Sequence, residues 1–306
     1  MATEIQSKRD PFIDRFEVPV AGGTLHVARA GAPPDDADGV VLTAHGVTAT
    51  LMTWRSIARG LPPRICVLAP DLRGRGRSAL LPGPYGIAQH VDDLLAVLDH
   101  AGVSSAVLVG HSMGAHIVAR LAAEHPSRAS GVILLDAGIP FPLPDDPQRL
   151  LDSVVASSVV RLTITFPTVE DYVNGWRVHP AFMRAWDEDI EAYARYDLVE
   201  ANGSARCAAS TEAVRADSRE MVLDSASRAA VDGVRAPVHL LRAERGLFDE
   251  EDDPVIPSDQ LRKFSGEHPG VRIEAVAGVN HYTLVLGHGP GPQRVVAAIE
   301  RAVMAT

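Results

Sequence analysis

The sequence predicts an α/β protein: a mostly parallel sheet flanked by helices, with a helical segment inserted late in the chain. Three observations carry this. Short apolar runs alternate with helix-periodic stretches from about residue 14 to 136, and again from 238 onward. The alternation stops between them, over residues 138–232. Finally, the strand-like Val107-Leu108-Val109 passes through Gly110-His111-Ser112-Met113-Gly114 straight into the helix-like Ala115-His116-Ile117-Val118-Ala119-Arg120-Leu121.

Taken in order, strands are expected at residues 16–20, 25–29, 40–44, 65–69, 106–109 and 132–135, each a run of β-branched or aliphatic residues bounded by turn formers. Helical periodicity covers residues 54–61 and 87–100, the latter with Val91, Leu94, Leu95 and Leu98 on one face. Residues 138–147 then carry four prolines, and helix-like stretches run from 150 to about 225 without a convincing strand. Strands return at 238–241 and 271–276, helices at 258–264 and 294–304. The expected division is therefore residues 1–137 and 233–306 as one core, with 138–232 as an inserted helical lid.

Bulk properties narrow the partners. A formal charge of −10 with no basic stripe argues against nucleic acid, whose phosphates require clustered Lys and Arg. No apolar run is long enough to span a bilayer, and residues 1–14 are polar without the apolar stretch of a secretory signal. Cys66 and Cys207 lie far apart and read as reduced core residues, which fits a cytoplasmic protein. No His, Cys or carboxylate cluster has metal spacing, and Gly74-Arg75-Gly76-Arg77-Ser78 lacks the phosphate-binding fingerprints, so neither metal nor nucleotide cofactor is expected.

The chemistry gathers around Ser112. On so sharp a strand-to-helix turn its hydroxyl is pushed clear of the sheet, Gly110 and Gly114 avoid collisions with the adjoining strand and helix, and the helix N-terminus behind favours negative charge. Ser112 is thus a candidate nucleophile. Together with Val40-Val41-Leu42-Thr43-Ala44-His45-Gly46-Val47, with Asp71-Leu72-Arg73-Gly74-Arg75-Gly76-Arg77-Ser78, and with Gly278-Val279-Asn280-His281-Tyr282, this motif makes nearly the whole chain resemble an α/β hydrolase with an inserted lid. The resemblance implies His281 as the general base, His45 as organiser of the oxyanion turn, and the backbone N–H groups of Met113 and Val47 as the oxyanion hole. It also implies that His111 turns its side chain away.

The acid is left open. The position where most of the family keeps it falls on Gly246, with Asp249 and Asp253 following and Glu244 just before; Asp136, at the end of the strand 132–135, is where a subset of the family holds it and is favoured. Eight of the fifteen aromatics fall in residues 138–232: Phe141, Phe166, Tyr172, Trp176, Phe182, Trp186, Tyr193 and Tyr196. As a set they suggest an apolar roof, with Trp176 and Trp186 the candidate substrate-contacting rings. The expected function is a cofactor-independent serine hydrolase acting on a small, largely apolar or aromatic carboxylic ester or lactone. Hydrolysis of a carbon–carbon bond in a vinylogous diketone by the same triad, and a hydrolase-like ligand receptor, are the alternatives.

Overall fold

The strand-forming runs assemble as follows in a computed structural model that describes residues 10–305; most of the polar N-terminal stretch lies outside these. The chain begins with β1 (Phe12–Val20) and β2 (Gly23–Ala30), then β3 (Gly39–Ala44), α1 (Arg55–Gly60), β4 (Ile65–Pro70), α2 (Ile87–His100), β5 (Ala106–His111), α3 (Met113–Glu124) and β6 (Ala129–Leu135). After a long excursion come β9 (Val238–Arg245), α9 (Ser258–Glu267), β10 (Arg272–Asn280) and α10 (Pro290–Met304). Eight strands form one sheet in the order β1-β2-β4-β3-β5-β6-β9-β10, in which β2 alone runs against its neighbours.

The central strands read as unbroken apolar runs because both faces are covered. Along β5, Val107 and Val109 enter the core on one side of the sheet while Leu108 enters the core on the other. Helix α2 puts Ile87, Val91, Leu94 and Leu98 on its buried face, the period expected of a helix laid on a sheet.

Strands β6 and β9 are parallel, hydrogen-bonded neighbours, Val132 opposite Val238 through Leu135 opposite Leu241, so the chain between them leaves the sheet at the end of β6 and crosses back to its other end to form the adjacent strand. That excursion holds α4 (Pro147–Thr163), α5 (Val169–Arg177), α6 (Glu188–Tyr196), α7 (Thr211–Leu223) and α8 (Ser225–Arg228). Each of these helices has a side-chain N-cap, from Asp146, Thr168, Asp187, Ser210 and Asp224 in turn. None of α1, α2, α3, α9 or α10 has one. Helices without a sheet beneath them depend more on local terms, and a cap contributes about 1 kcal/mol.

The expectation of a strand-free segment was wrong. A hairpin, β7 (Leu198–Ala201) and β8 (Ser204–Cys207), turns through Asn202 and Gly203, both at positive φ (53° and 78°). Asn-Gly between two short runs is the sequence signal for this tight turn, since both central residues must be left-handed.

Candidate active site

Ser112 lies between the last residue of β5 and the first of α3, at φ 55° and ψ −123°. This left-handed backbone is strained for a residue with a side chain and is held by its surroundings. A Cβ on Gly110 would run into the Gly114 carbonyl, and one on Gly114 into the carbonyl of Ala44 at the end of β3, so both glycines are required by close approach. The opposing turn is equally tight: a Cβ on Gly46 would stand 3.3 Å from the Ser112 Cβ.

His281 follows β10 on a loop organised by Asn280. The Asn280 Oδ1 accepts from Tyr282 N and Thr283 N at 3.0 and 2.9 Å, while its Nδ2 donates to the Ala181 carbonyl at 2.9 Å. So held, His281 Nδ1 donates to Asp136 Oδ2 at 2.7 Å, leaving Nε2 as the ring's acceptor. The second Asp136 oxygen accepts from Ala243 N at 3.0 Å, and its own N–H donates to the Leu241 carbonyl at 2.8 Å. Burial raises the Asp136 carboxyl above the ordinary carboxylate range, against the opposing pull of His281 and of the Ala243 N–H.

Asp249, the alternative acid, does not reach the imidazole. Its Oδ1 pairs with Arg245 Nε at 2.9 Å and accepts from Asn280 Nδ2 at 3.1 Å, one residue short of His281. Glu244 and Asp253 are exposed, and the Glu244 carboxylate meets the Gly278 N–H at 3.4 Å.

The turn after β3 is braced from several sides. Leu72 N donates to His45 Nε2 at 3.0 Å, so the Nδ1–H of His45 donates to the Gly46 carbonyl at 2.9 Å. Burial depresses the pKa of His45 to about 3, which keeps the ring neutral and this tautomer in place. Arg75 Nε donates to the Val47 carbonyl at 2.9 Å, and Arg161 Nη2 to the Thr48 carbonyl at 3.2 Å. Met113 opens α3, so its N–H is one of the helix's first-turn donors without an intrahelical partner.

Ser112, His281 and Val47 open into one cavity of about 530 Å³. From the excursion, Phe166, Tyr172, Trp176 and Tyr193 line it. Trp186 does not: it takes the Arg177 guanidinium over its ring at 5.2 Å and edges a separate surface depression, because its position after α5 turns it outward. Phe182 sits behind Trp176 at 5.6 Å, Tyr196 gives its hydroxyl to Asp71 at 2.7 Å, and Phe141 packs edge-on against His116. His111 also departs from expectation. It lines the cavity with its ring 4.5 Å from that of His281, and Nε2 donates to the His281 carbonyl at 2.9 Å. Its burial is completed by the histidine loop itself, a long-range contact with no local signal.

A serine on a strand-to-helix elbow and a histidine–aspartate pair at the same edge of an eight-stranded, mostly parallel sheet are the architecture of the α/β hydrolases. Residues 39–169 match the family model described as alpha/beta hydrolase fold. This chain is an α/β-hydrolase-fold protein. It is similar to lipase LipV of Mycobacterium tuberculosis, 42% identical over 115 residues, which are 38% of this chain and only 42% of that protein. It is 27% identical to 2-(acetamidomethylene)succinate hydrolase of Mesorhizobium japonicum over 92% of each chain. A crystal structure of E-2-(acetamidomethylene)succinate hydrolase superposes with a TM-score of 0.75 at 22% identity, covering 95% of this chain and 99% of that one.

Proposed function

We propose that this chain is a serine hydrolase that cleaves a carboxylic ester or lactone through an acyl-enzyme, with Ser112 as nucleophile, His281 as general base and Asp136 as the acid that orients it. The observation that carries this is the 2.7 Å contact of Asp136 with the Nδ1 of His281, whose ring lines the same cavity as Ser112. A serine hydroxyl is a weak nucleophile until a base takes its proton. With Nδ1–H engaged by the carboxylate, Nε2 is free to accept that proton as Oγ bonds to the carbonyl carbon. The carbonyl π electrons move onto oxygen, where the N–H groups of Met113 and Val47 meet the charge. Collapse expels the alcohol, which takes the proton back from the imidazolium. Water, deprotonated by the same nitrogen, then releases the acid and frees Ser112. Residues 138–232 serve in this account as the lid, with Trp176 as a substrate-facing ring.

Lipase LipV is similar over 115 residues, and its name favours acyl-ester chemistry. The succinate-named hydrolase, similar over nearly the full chain, keeps a carbonyl substrate outside simple esters as a second reading. The test is turnover and labelling together. Ser112→Ala and His281→Ala should each remove essentially all hydrolysis of a short chromogenic ester, and the double variant should be hardly worse, since triad members act as a unit. A fluorophosphonate adduct should map to Ser112. Retention of more than a few percent of turnover in Ser112→Ala would overturn the assignment, and an intact protein inert to every ester and to the probe would point to a receptor.

A further inference from the structure

The cavity above Ser112 contains one charge that an apolar ester does not use. Among the described residues, Arg161 is the single formally charged side chain in its wall. A guanidinium in such surroundings is costly unless paired, and Arg161 is paired from behind. Its Nη1 donates to Asp197 Oδ2 at 2.6 Å and to the Tyr172 hydroxyl at 2.8 Å. Asp197 has no exposed surface, whereas the Arg161 side chain keeps 24% of its own. The guanidinium carbon lies 4.6 Å from the Trp176 ring centroid, and Nη2 reaches the Thr48 carbonyl, two residues past Gly46. The pair therefore fixes the charge and the plane of the group at the cavity wall. Thr53, in the same wall and 1% exposed, has an Oγ1 without a partner among the described residues. Buried hydroxyls are rarely left so unless a ligand or water completes them.

We propose that the substrate bears a carboxylate in addition to the carbonyl that is attacked, and that the guanidinium of Arg161 receives it. A planar fork already held in place suits a carboxylate, and its ordering cost has been met in the folded state. Among the described residues, the cavity wall contains no Asp or Glu to repel the incoming anion. His179, the nearby imidazole in this wall, has its pKa lowered by burial and by Arg161, so it adds no second cation. The apolar walls then take the remainder of the molecule, and the substrate is amphipathic rather than wholly apolar. This rests on the hydrolase reading for its chemistry but not for its binding step.

The experiment compares ethyl hydrogen dicarboxylates, from succinate to adipate, with neutral ethyl alkanoates of matched length. The wild-type protein should show a KM at least tenfold lower for one of the half-esters, the scale of a charge-assisted hydrogen bond. Arg161→Gln should erase that preference, raising the half-ester KM at least tenfold more than the alkanoate KM, and Arg161→Lys should restore part of it. No preference in the wild type, or equal losses for both substrate classes in Arg161→Gln, would overturn the proposal. Should Arg161→Gln fail to fold, competitive inhibition of alkanoate hydrolysis by free adipate or glutarate in the wild type decides the matter, and its absence sinks the idea. Quenching of tryptophan fluorescence by the same dicarboxylates in Ser112→Ala reads binding without turnover. Such binding, together with no hydrolysis of any ester by the wild-type protein, would sustain the Arg161 site while removing the hydrolase reading.

Discussion

Asp136 has one carboxylate oxygen on the Ala243 N–H and the other on the His281 imidazole, so its orientation is set by the main chain of β9. Its own backbone is left-handed, φ 54°, held by the bond from its N–H to Leu241. In the proposed mechanism this carboxylate keeps Nδ1 protonated and stabilises the imidazolium. An amide of the same shape presents an N–H or a weaker acceptor and favours the wrong tautomer. Asp136→Asn should therefore lower kcat by several orders of magnitude with little change in KM. Asp249→Asn, whose oxygen meets Arg245 and Asn280 instead, should change kcat by less than about tenfold, because it supports the loop and not the ring. Steady-state kinetics of the two variants check this, and the opposite order of losses would exchange the two roles.

The turn after β3 is held through two arginines, and each is paired with an aspartate of the excursion between β6 and β9. Arg75 grips the Val47 carbonyl and pairs with Asp217 of α7; Arg161 grips Thr48 and pairs with Asp197 after α6. Asp217 also accepts from Gly86 N at 2.6 Å and meets His90 Nε2 at 3.0 Å. Despite complete burial, the charge of Arg75 and the contacts of His90 hold the Asp217 carboxyl well below the usual range. Removing that charge strands Arg75 in the interior. Asp217→Asn should cost about 3–5 kcal/mol in urea unfolding, the usual result of leaving one partner of a buried pair alone. A loss under about 1 kcal/mol would mean that water reaches the pair. At the same scale, α2 and the β strands follow from apolar periodicity, while the β7–β8 hairpin was legible only in its Asn202-Gly203 turn.

Across the whole molecule, buried histidines couple stability to pH. Burial lowers the pKa of His116 to about 4 and that of His45 to about 3, from an ordinary value of 6.5. Between pH 6.5 and about 4 the unfolded chain therefore binds protons on these rings that the folded chain does not, so stability falls as pH falls through that window. Each ring contributes a slope on the order of 1.4 kcal/mol per pH unit. The raised carboxyls of Asp71 and Asp136 act with the opposite sign at the acid end, so the histidine contribution is best read by difference. His116→Gln should flatten the decline in unfolding free energy between pH 6.5 and about 4.5 relative to the wild type. An unchanged slope would show that His116 takes up its proton without unfolding. No helix among the described residues is long and apolar enough to cross a membrane, and both cysteines are free and buried.

What the sequence determined by itself is what depends on near neighbours. The strand periods, the α2 face, the two glycines that permit the Ser112 elbow, and the position of His281 after its strand are all written in short-range pattern. Tertiary structure decided what depends on convergence. Asp136 is favoured over Asp249 on paper but both stay open, because each follows a strand at the same sheet edge, and the register of β9 against β6 and the Asn280 loop bring only Asp136 to the imidazole. Trp176 and Trp186 are likewise alike in composition, yet Trp176 on α5 lines the cavity, while Trp186 in the turn after α5 stacks under Arg177. Arg161, Arg75 and His111 carry no motif for their contacts, since their partners lie 113, 28 and 170 residues away in the chain. Distances of that length are fixed by packing of whole elements, which no local pattern encodes.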